Sequence, residues 1–287
     1  YSISFYQFLP SYLTSYKPTK HIIWLHGSVE HFFDGIKILF KDSYGRKLNK
    51  YDNIVTIADE MKEQVGSFYP SLANRKIKLI YNPFNFDKII DESNDIEGLS
   101  SQESLLLEDD YICTVSRIDE NQKDITTLIL AYKRLYENKY IMQKLYIVGD
   151  GVSRRKLEVL VKKNGLEDRV LFLGEKSNPF IWIKNADLFV LSSKFEGLPT
   201  VLIEAMIIGT FIISSNCKTG PKEILQEGEC GDLFKVGDVS GLSDKIEYAL
   251  CDKEYRDSKI LKACKRVRMF DKRNSINSLM KLIEQGL

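Results

Sequence analysis

The stretch "DLFVLSSKFEGLPTVLIEAMIIGTFIISSN" (187–216) reads as strand, turn, helix and strand. An apolar run (187–193) passes through a turn over 194–197 into a helix that starts near Pro199. A second apolar run follows over 210–216. Strands that are apolar along their whole length belong to parallel sheets covered on both faces. This βαβ unit therefore predicts a doubly wound α/β domain rather than a sandwich or a helical bundle.

Working outward, the same alternation continues. "YICTVS" (111–116), "KLYIVGDG" (144–151) and "RVLFLG" (169–174) read as strands. Residues 124–138 and 153–165 read as helices, with Asp124 and Ser153 as N-caps and Gly165 as a C-terminal stop. Segments 242–251 and 276–285 are amphipathic closing helices. Upstream, 2–5, 21–28, 53–59 and 77–83 give only four strand candidates, which is thin for a complete domain, so residues are expected before Tyr1. Residues 91–110 are acidic and serine-rich. They predict an interdomain connector with one helical turn at 103–107, the alternative being a long surface loop. The expected organisation is a partial N-terminal domain (1–90), a connector (91–110), a nucleotide-binding domain (111–268) and a C-terminal closing helix (269–287).

Composition removes several classes. With 41 Lys and Arg against 40 Asp and Glu, no charge excess points to nucleic acid. No run of about 18 apolar residues marks a membrane span, and Tyr1 opens no basic leader. The five cysteines form no CxxC pair, and His21, His26 and His31 do not join them at zinc spacing. Cys113 lies in an apolar run and reads as a reduced structural thiol, which fits a cytoplasmic location.

Ligands of doubly wound sheets sit beyond the carboxyl ends of strands. The turn before Pro199 occupies such a place. Proline suits a first helical position, and the amides of Gly197 and Leu198 would then face an anion at the helix start. Glu196 lies in the turn and Glu204 about one turn into the helix. An ionised carboxylate accepts from two adjacent hydroxyls, and burying it without a partner costs several kcal/mol. The alternatives are an exposed turn residue for Glu196 and a local lysine partner for Glu204. In "SRIDENQKD" (116–124), Arg117 and Lys123 flank a loop at another strand end. Together they could grip a diphosphate, arginine in a bidentate contact and lysine as a point charge. Alone, each would read as a solvated surface cation.

Taken in order, "VSRIDENQKD", "KLYIVGDG", "RVLFLG", "FEGLPTVLIEAM" and "TGPKEIL" resemble the C-terminal half of a family-4 retaining glycosyltransferase of GT-B fold, with two Rossmann-like domains. "IYNP" (80–83) is similar to the segment near the end of that family's N-terminal domain. "GPKEIL" (220–225) is similar to a subgroup that builds bacterial capsule, O-antigen and other surface polysaccharides. The resemblance implies that Glu204 holds the ribose hydroxyls and that Glu196 contacts the donor sugar. Arg117 and Lys123 would bind the diphosphate, with Gly197 and Leu198 offering amides to phosphate or sugar. Gly174 would precede a loop near the base, and His26 in "WLHGS" would face the donor sugar; a strand-end histidine satisfied by backbone is its alternative. The glycine-rich loop that opens the family's first domain has no counterpart before "SISF".

The resemblance further implies a nucleotide-sugar donor, UDP above GDP or ADP, a glycan or lipid-linked acceptor, and retention at the anomeric carbon. No Asp-x-Asp follows a strand, so no metal or other cofactor is expected. Residues 37–50 carry Lys37, Lys41, Arg46, Lys47 and Lys50 beside Phe32, Phe33, Ile36, Leu39 and Phe40. They would suit peripheral contact with the inner face of a membrane, the alternative being a solvated basic helix face. A non-catalytic nucleotide-sugar-binding subunit and a nucleotide-sugar epimerase stay open. A dinucleotide oxidoreductase is disfavoured, since "GDGVSR" lacks the third glycine and goes with the domain's second strand, not its first.

Overall fold

A computed structural model describes residues 2–5, 19–28, 40–72, 76–138 and 141–284. The chain divides into two compact units. The first comprises Tyr1–Phe84, Glu196–Leu198 and Met269–Leu287, and the second Asn85–Phe195 and Pro199–Arg268.

In the first unit, strands β1 (Ser2–Phe5), β2 (His21–Leu25), β3 (Asn53–Thr56) and β4 (Ile77–Leu79) form a parallel sheet in that order. Helix α1 (Lys41–Leu48) precedes β3, and α2 (Asp59–Phe68) lies between β3 and β4. β2 is buried at every position, and its apolar run at 22–25 after His21 suits a strand covered on both faces. Of the basic aromatic segment, Phe32, Phe33, Ile36, Lys37 and Leu39 lie outside the described residues.

The second unit begins with α3 (Phe86–Asn94) and α4 (Ser101–Leu106). Then follow β5 (Tyr111–Val115), α5 (Ile125–Glu137), β6 (Lys144–Val148), α6 (Arg154–Lys163), β7 (Val170–Gly174), α7 (Phe180–Lys184) and β8 (Leu188–Leu191). The unit ends with α8 (Thr200–Ile208), β9 (Ile212–Ser215), α9 (Pro221–Ile224), β10 (Asp232–Phe234), α10 (Val239–Cys251) and α11 (Lys253–Arg266). The six strands are parallel in the order β10-β9-β8-β5-β6-β7. The chain winds outward from β5 through β6 to β7, crosses back to β8, and winds the other way to β10. The reversal falls between the adjacent strands β5 and β8, so the expected α/β doubly wound architecture is present.

Strand alternation splits the core into two layers. Ile112, Leu145, Ile147, Leu188, Val190 and Ile213 point to one face, packing with Leu128, Tyr132, Leu242 and Ile246. Tyr111, Cys113, Tyr146 and Val148 point to the other, with Ile181 and Trp182. The Tyr111 and Tyr146 rings stack 4.4 Å apart, and the Tyr111 hydroxyl donates to the Trp182 carbonyl (2.9 Å). Burial pushes the Cys113 thiol up, which suits the inert structural role expected of it.

Several local readings change. Residues 91–94 belong to α3, which packs on α7 and α8 and is tied by Asn178 Nδ2 donating to the Glu92 carbonyl (2.7 Å). The start of the acidic stretch is therefore the end of a packed helix. The helical turn expected at 103–107 is α4, closed by a reciprocal capping box between Ser100 and Glu103. Lys176 ion-pairs with the same Glu103 carboxylate (2.7 Å) and holds it near pKa 2. The chain passes from the first unit to the second after Phe84 and returns at Met269, leading into α12 (Lys272–Glu284). Within the first unit, Phe84 donates to the Phe270 carbonyl (3.2 Å) and accepts from the Lys272 amide (3.0 Å). Among the described residues no helix is long and apolar enough to cross a membrane.

Candidate functional site

The reversal between β5 and β8 is where a doubly wound sheet opens a crevice at its carboxyl edge. Two loops leave the sheet there: 116–124 after β5 and 192–199 after β8. Arg117 and Lys123 are on the first, Glu196, Gly197 and Leu198 on the second.

The β5 loop is compact. Gln122 and Lys123 both donate backbone N–H groups to the Asp119 carbonyl (3.0 and 2.7 Å). Asp124 stands at the N-cap of α5, as expected, without a side-chain bond to a helix amide. It takes a left-handed conformation (φ 48°) and accepts from the Thr127 hydroxyl (2.8 Å). The side-chain acceptor at the start of α5 is Glu120, whose carboxylate accepts from the amide (3.2 Å) and hydroxyl of Thr126. Ser153 stands at the N-cap of α6, as expected, and its hydroxyl oxygen accepts from the Glu120 amide (3.0 Å), which ties α6 to the same loop.

The carboxyl end of β6 packs directly on this loop. Ser116 donates to the Val148 carbonyl (3.0 Å) and Ile118 to the Asp150 carbonyl (2.8 Å). A Cβ on Gly149 would lie 2.0 Å from the Ser116 carbonyl oxygen, and one on Gly151 2.4 Å from that of Ile118. The glycines of "GDG" thus let two backbones touch. Gly174, at the end of β7, accepts from the Gly149 amide (2.8 Å). It therefore stands at the same edge, two strands from Arg117.

The two loops are joined to each other. Lys194 donates its backbone N–H to the Gln122 carbonyl (2.7 Å) and its ammonium to the Glu120 carbonyl (2.7 Å). Gln122 Nε2 donates to the Phe195 carbonyl (3.3 Å), and Arg117 Nη2 donates to Gln122 Oε1 (3.1 Å). The Ser192 hydroxyl donates to the Lys123 carbonyl (2.9 Å).

Helix α8 starts at Thr200, so Pro199 stands at the cap rather than at the first helical position. Its φ of −67° fits the ring, and its carbonyl already accepts from Leu202 (3.1 Å). Gly209, left-handed at φ 89°, ends the helix. Among the described residues the Gly197 and Leu198 amides donate to no protein group. Glu204 is half-buried between Ile203 and Ala205. Among the described residues no lysine or arginine pairs with it; its hydrogen-bond partner is Thr200. Burial pushes its carboxyl up to about 7. Among the described residues the local lysine partner that would have made Glu204 a routine surface acid is absent.

His26 follows β2 in the first unit. Its ring stacks on that of Trp24 with centroids 6.3 Å apart, and burial holds the imidazole below its ordinary range. Glu196 is buried and is grouped with that unit. Among the described residues no cluster of three His, Cys, Asp or Glu could hold a metal ion.

Gln122 and Lys194 escaped the sequence reading. An amide and a lysine in polar loops carry no pattern of their own. A usable signal is position: Gln122 adjoins Lys123 and Lys194 lies two residues before Glu196, each in a loop at a strand's carboxyl end.

The profile of "Glycosyl transferases group 1" matches residues 96–266, more than half of the chain, including both loops of the crevice. The chain belongs to the group 1 glycosyltransferases. An uncharacterized glycosyltransferase of Methanocaldococcus jannaschii is 36% identical over 233 residues, covering 80% of this chain and 53% of that protein. A Campylobacter jejuni relative is 31% identical over 202 residues, covering 70% of this chain and 52% of its own length. It is named as the N-acetylgalactosamine-N,N'-diacetylbacillosaminyl-diphospho-undecaprenol 4-alpha-N-acetylgalactosaminyltransferase. The chain thus spans about half the length of these curated relatives. The crystal structure of Anabaena HepE with UDP and glucose superposes with a TM-score of 0.79 at 18% identity, covering 93% of this chain and 72% of that one. The glycosyltransferase fold is GT-B, as the sequence motifs implied.

Proposed function

We propose that this group 1 chain carries the donor site of a retaining glycosyltransferase. It would move a sugar from a nucleotide diphosphate, with UDP as the preferred carrier, to a glycan or lipid-linked glycan in bacterial surface-polysaccharide synthesis. The observation that carries the reading is Glu204: a half-buried carboxylate with no cationic partner among the described residues, one turn into the helix that starts at the sheet's reversal. Ribose hydroxyls would be further donors to it beside Thr200. Arg117 and Lys123 supply the charge for the diphosphate, and the Gly197 and Leu198 amides supply neutral donors. These groups replace a metal as preorganised stabilisation of the leaving phosphate. Glu196 contacts the donor sugar, His26 belongs to the sugar side, and Gly174 opens the loop toward the base. Retention follows a front-face route, in which the leaving phosphate oxygen accepts the acceptor's proton.

The C. jejuni relative's name places its acceptor on diphospho-undecaprenol, and a lipid-linked acceptor here would lie at the inner face of a membrane. Helix α1 supports that placement, with Phe40 63% exposed just before it and Arg46, Lys47 and Lys50 exposed along and beyond it. Binding to phosphatidylglycerol vesicles is expected in sedimentation and should fall steeply with salt; equal binding to neutral vesicles would remove the electrostatic part.

The donor reading is tested by thermal shift with UDP-, GDP- and ADP-sugars. A ligand at about 100 times its dissociation constant stabilises by about 2.7 kcal/mol. One family of nucleotide sugars should raise Tm, and excess EDTA should leave the shift unchanged. No shift with any of them would overturn the donor site. Conversion of the nucleotide sugar without an acceptor would assign an epimerase instead. Tight binding without transfer, in a chain extended to its relatives' length, would assign a binding subunit.

A further inference from the structure

We propose that Gln122 is a positioning residue. It presets the Arg117 guanidinium against the β8 turn, so that the two loops of the crevice present one ready-made diphosphate grip. The inference rests on the donor-site reading and adds to it a residue that touches no substrate.

Arg117 by itself is a poor grip. Its side chain is 66% exposed, and its ion pair with Asp119 is long at 3.8 Å. Such a pair in water fixes little. A free arginine must be ordered when phosphate binds, and that ordering subtracts from affinity. Gln122 removes part of this cost because both ends of its amide are used. Oε1 accepts from Arg117 Nη2 (3.1 Å) and Nε2 donates to the Phe195 carbonyl (3.3 Å). Its backbone carbonyl also accepts the Lys194 amide (2.7 Å). The position needs an acceptor on one side and a donor on the other, and a terminal amide supplies both on one rigid plane. Phe195 directly precedes Glu196. One side chain therefore links the residue proposed for the diphosphate to the turn proposed for the sugar, across 73 positions of sequence.

The test compares UDP with uridine by calorimetry. Uridine lacks the phosphates, so a residue that acts through Arg117 affects UDP alone. Gln122→Ala is expected to weaken UDP about threefold to tenfold, the range for one side chain left to be ordered on binding. Uridine affinity should not move. In an Arg117→Ala background, Gln122→Ala should cause no further loss of UDP affinity, because the group it positions is gone. Equal losses for UDP and uridine, no loss for either, or additive losses in the double variant would each overturn the positioning role while leaving the donor site standing. If the unaltered chain binds UDP no better than uridine, or Arg117→Ala leaves UDP affinity unchanged, the diphosphate reading falls and this inference falls with it.

Discussion

Glu204→Ala is expected to weaken UDP-glucose at least about a hundredfold at pH 8, because hydrogen bonds to a charged group contribute about 1.5–3 kcal/mol each and two are lost. The more discriminating result is the pH dependence in the unaltered chain. Burial raises the Glu204 carboxyl to about 7. Ribose hydroxyls donate, so they favour the ionised form, and binding below pH 7 must first expel a proton. Affinity for UDP-glucose should therefore rise with pH up to about 7, approaching tenfold per pH unit on the acid side, and flatten above. A nucleotide sugar is the right probe because its diphosphate does not titrate in this range. In Glu204→Gln the affinity should be weaker at pH 8 and flat with pH. A flat profile in the unaltered chain would sink the ribose role.

The same ionisation acts on stability with a definite sign. Between the unfolded value of 4.5 and about 7, the folded chain binds more protons at Glu204 than the unfolded chain does. Stability from this group is complete below pH 4.5, falls as pH rises through 7, and is constant above. The full shift converts to at most about 3 kcal/mol, and solvent at the partly exposed carboxylate reduces it further. Without ligand, Glu204→Gln should thus be more stable than its parent at pH 8, with the advantage gone by pH 4. A site that costs stability when empty is what a ligand-facing carboxylate predicts.

Much of this was legible in the amino-acid order because its signals are local. The apolar runs of β5, β6 and β8 need no tertiary information, and neither does the turn before α8. Glu204 stood out because a carboxylate between Ile203 and Ala205 conflicts with its neighbours. What stayed hidden has weak local contrast. β10 is three residues long, too short for periodicity to register. α11 buries only Ala263 and so has almost no apolar stripe. α3 is masked by the acidic composition that continues beyond it. Gln122 and the left-handed Asp124 acquire their roles from loops far apart in sequence, which spacing alone does not bring together.

Gly149→Ala is the substitution expected to damage the site most without touching a ligand. At φ 127° an L side chain is strained, and its Cβ would meet the Ser116 carbonyl oxygen at 2.0 Å. That neighbour is backbone, so relief requires moving either the end of β6 or the start of the Arg117 loop. Backbone strain and overpacking each cost about 1–3 kcal/mol, and together they predict a loss of roughly 3–5 kcal/mol in the unfolding free energy read from urea denaturation. UDP affinity should fall as well, because the displaced loop carries Arg117 and Gln122. Gly66 is the control. It lies inside helix α2, and a Cβ there would meet nothing within 4 Å. Gly66→Ala should stabilise by about 0.5–1 kcal/mol, since alanine loses less freedom on folding and gains no clash. Opposite signs for one chemical change would show that Gly149 is required by the contact between β6 and the β5 loop. A Gly149→Ala chain as stable as its parent would mean that the loop is not held against β6 as described, and the preset geometry argued for Arg117 would lose its support.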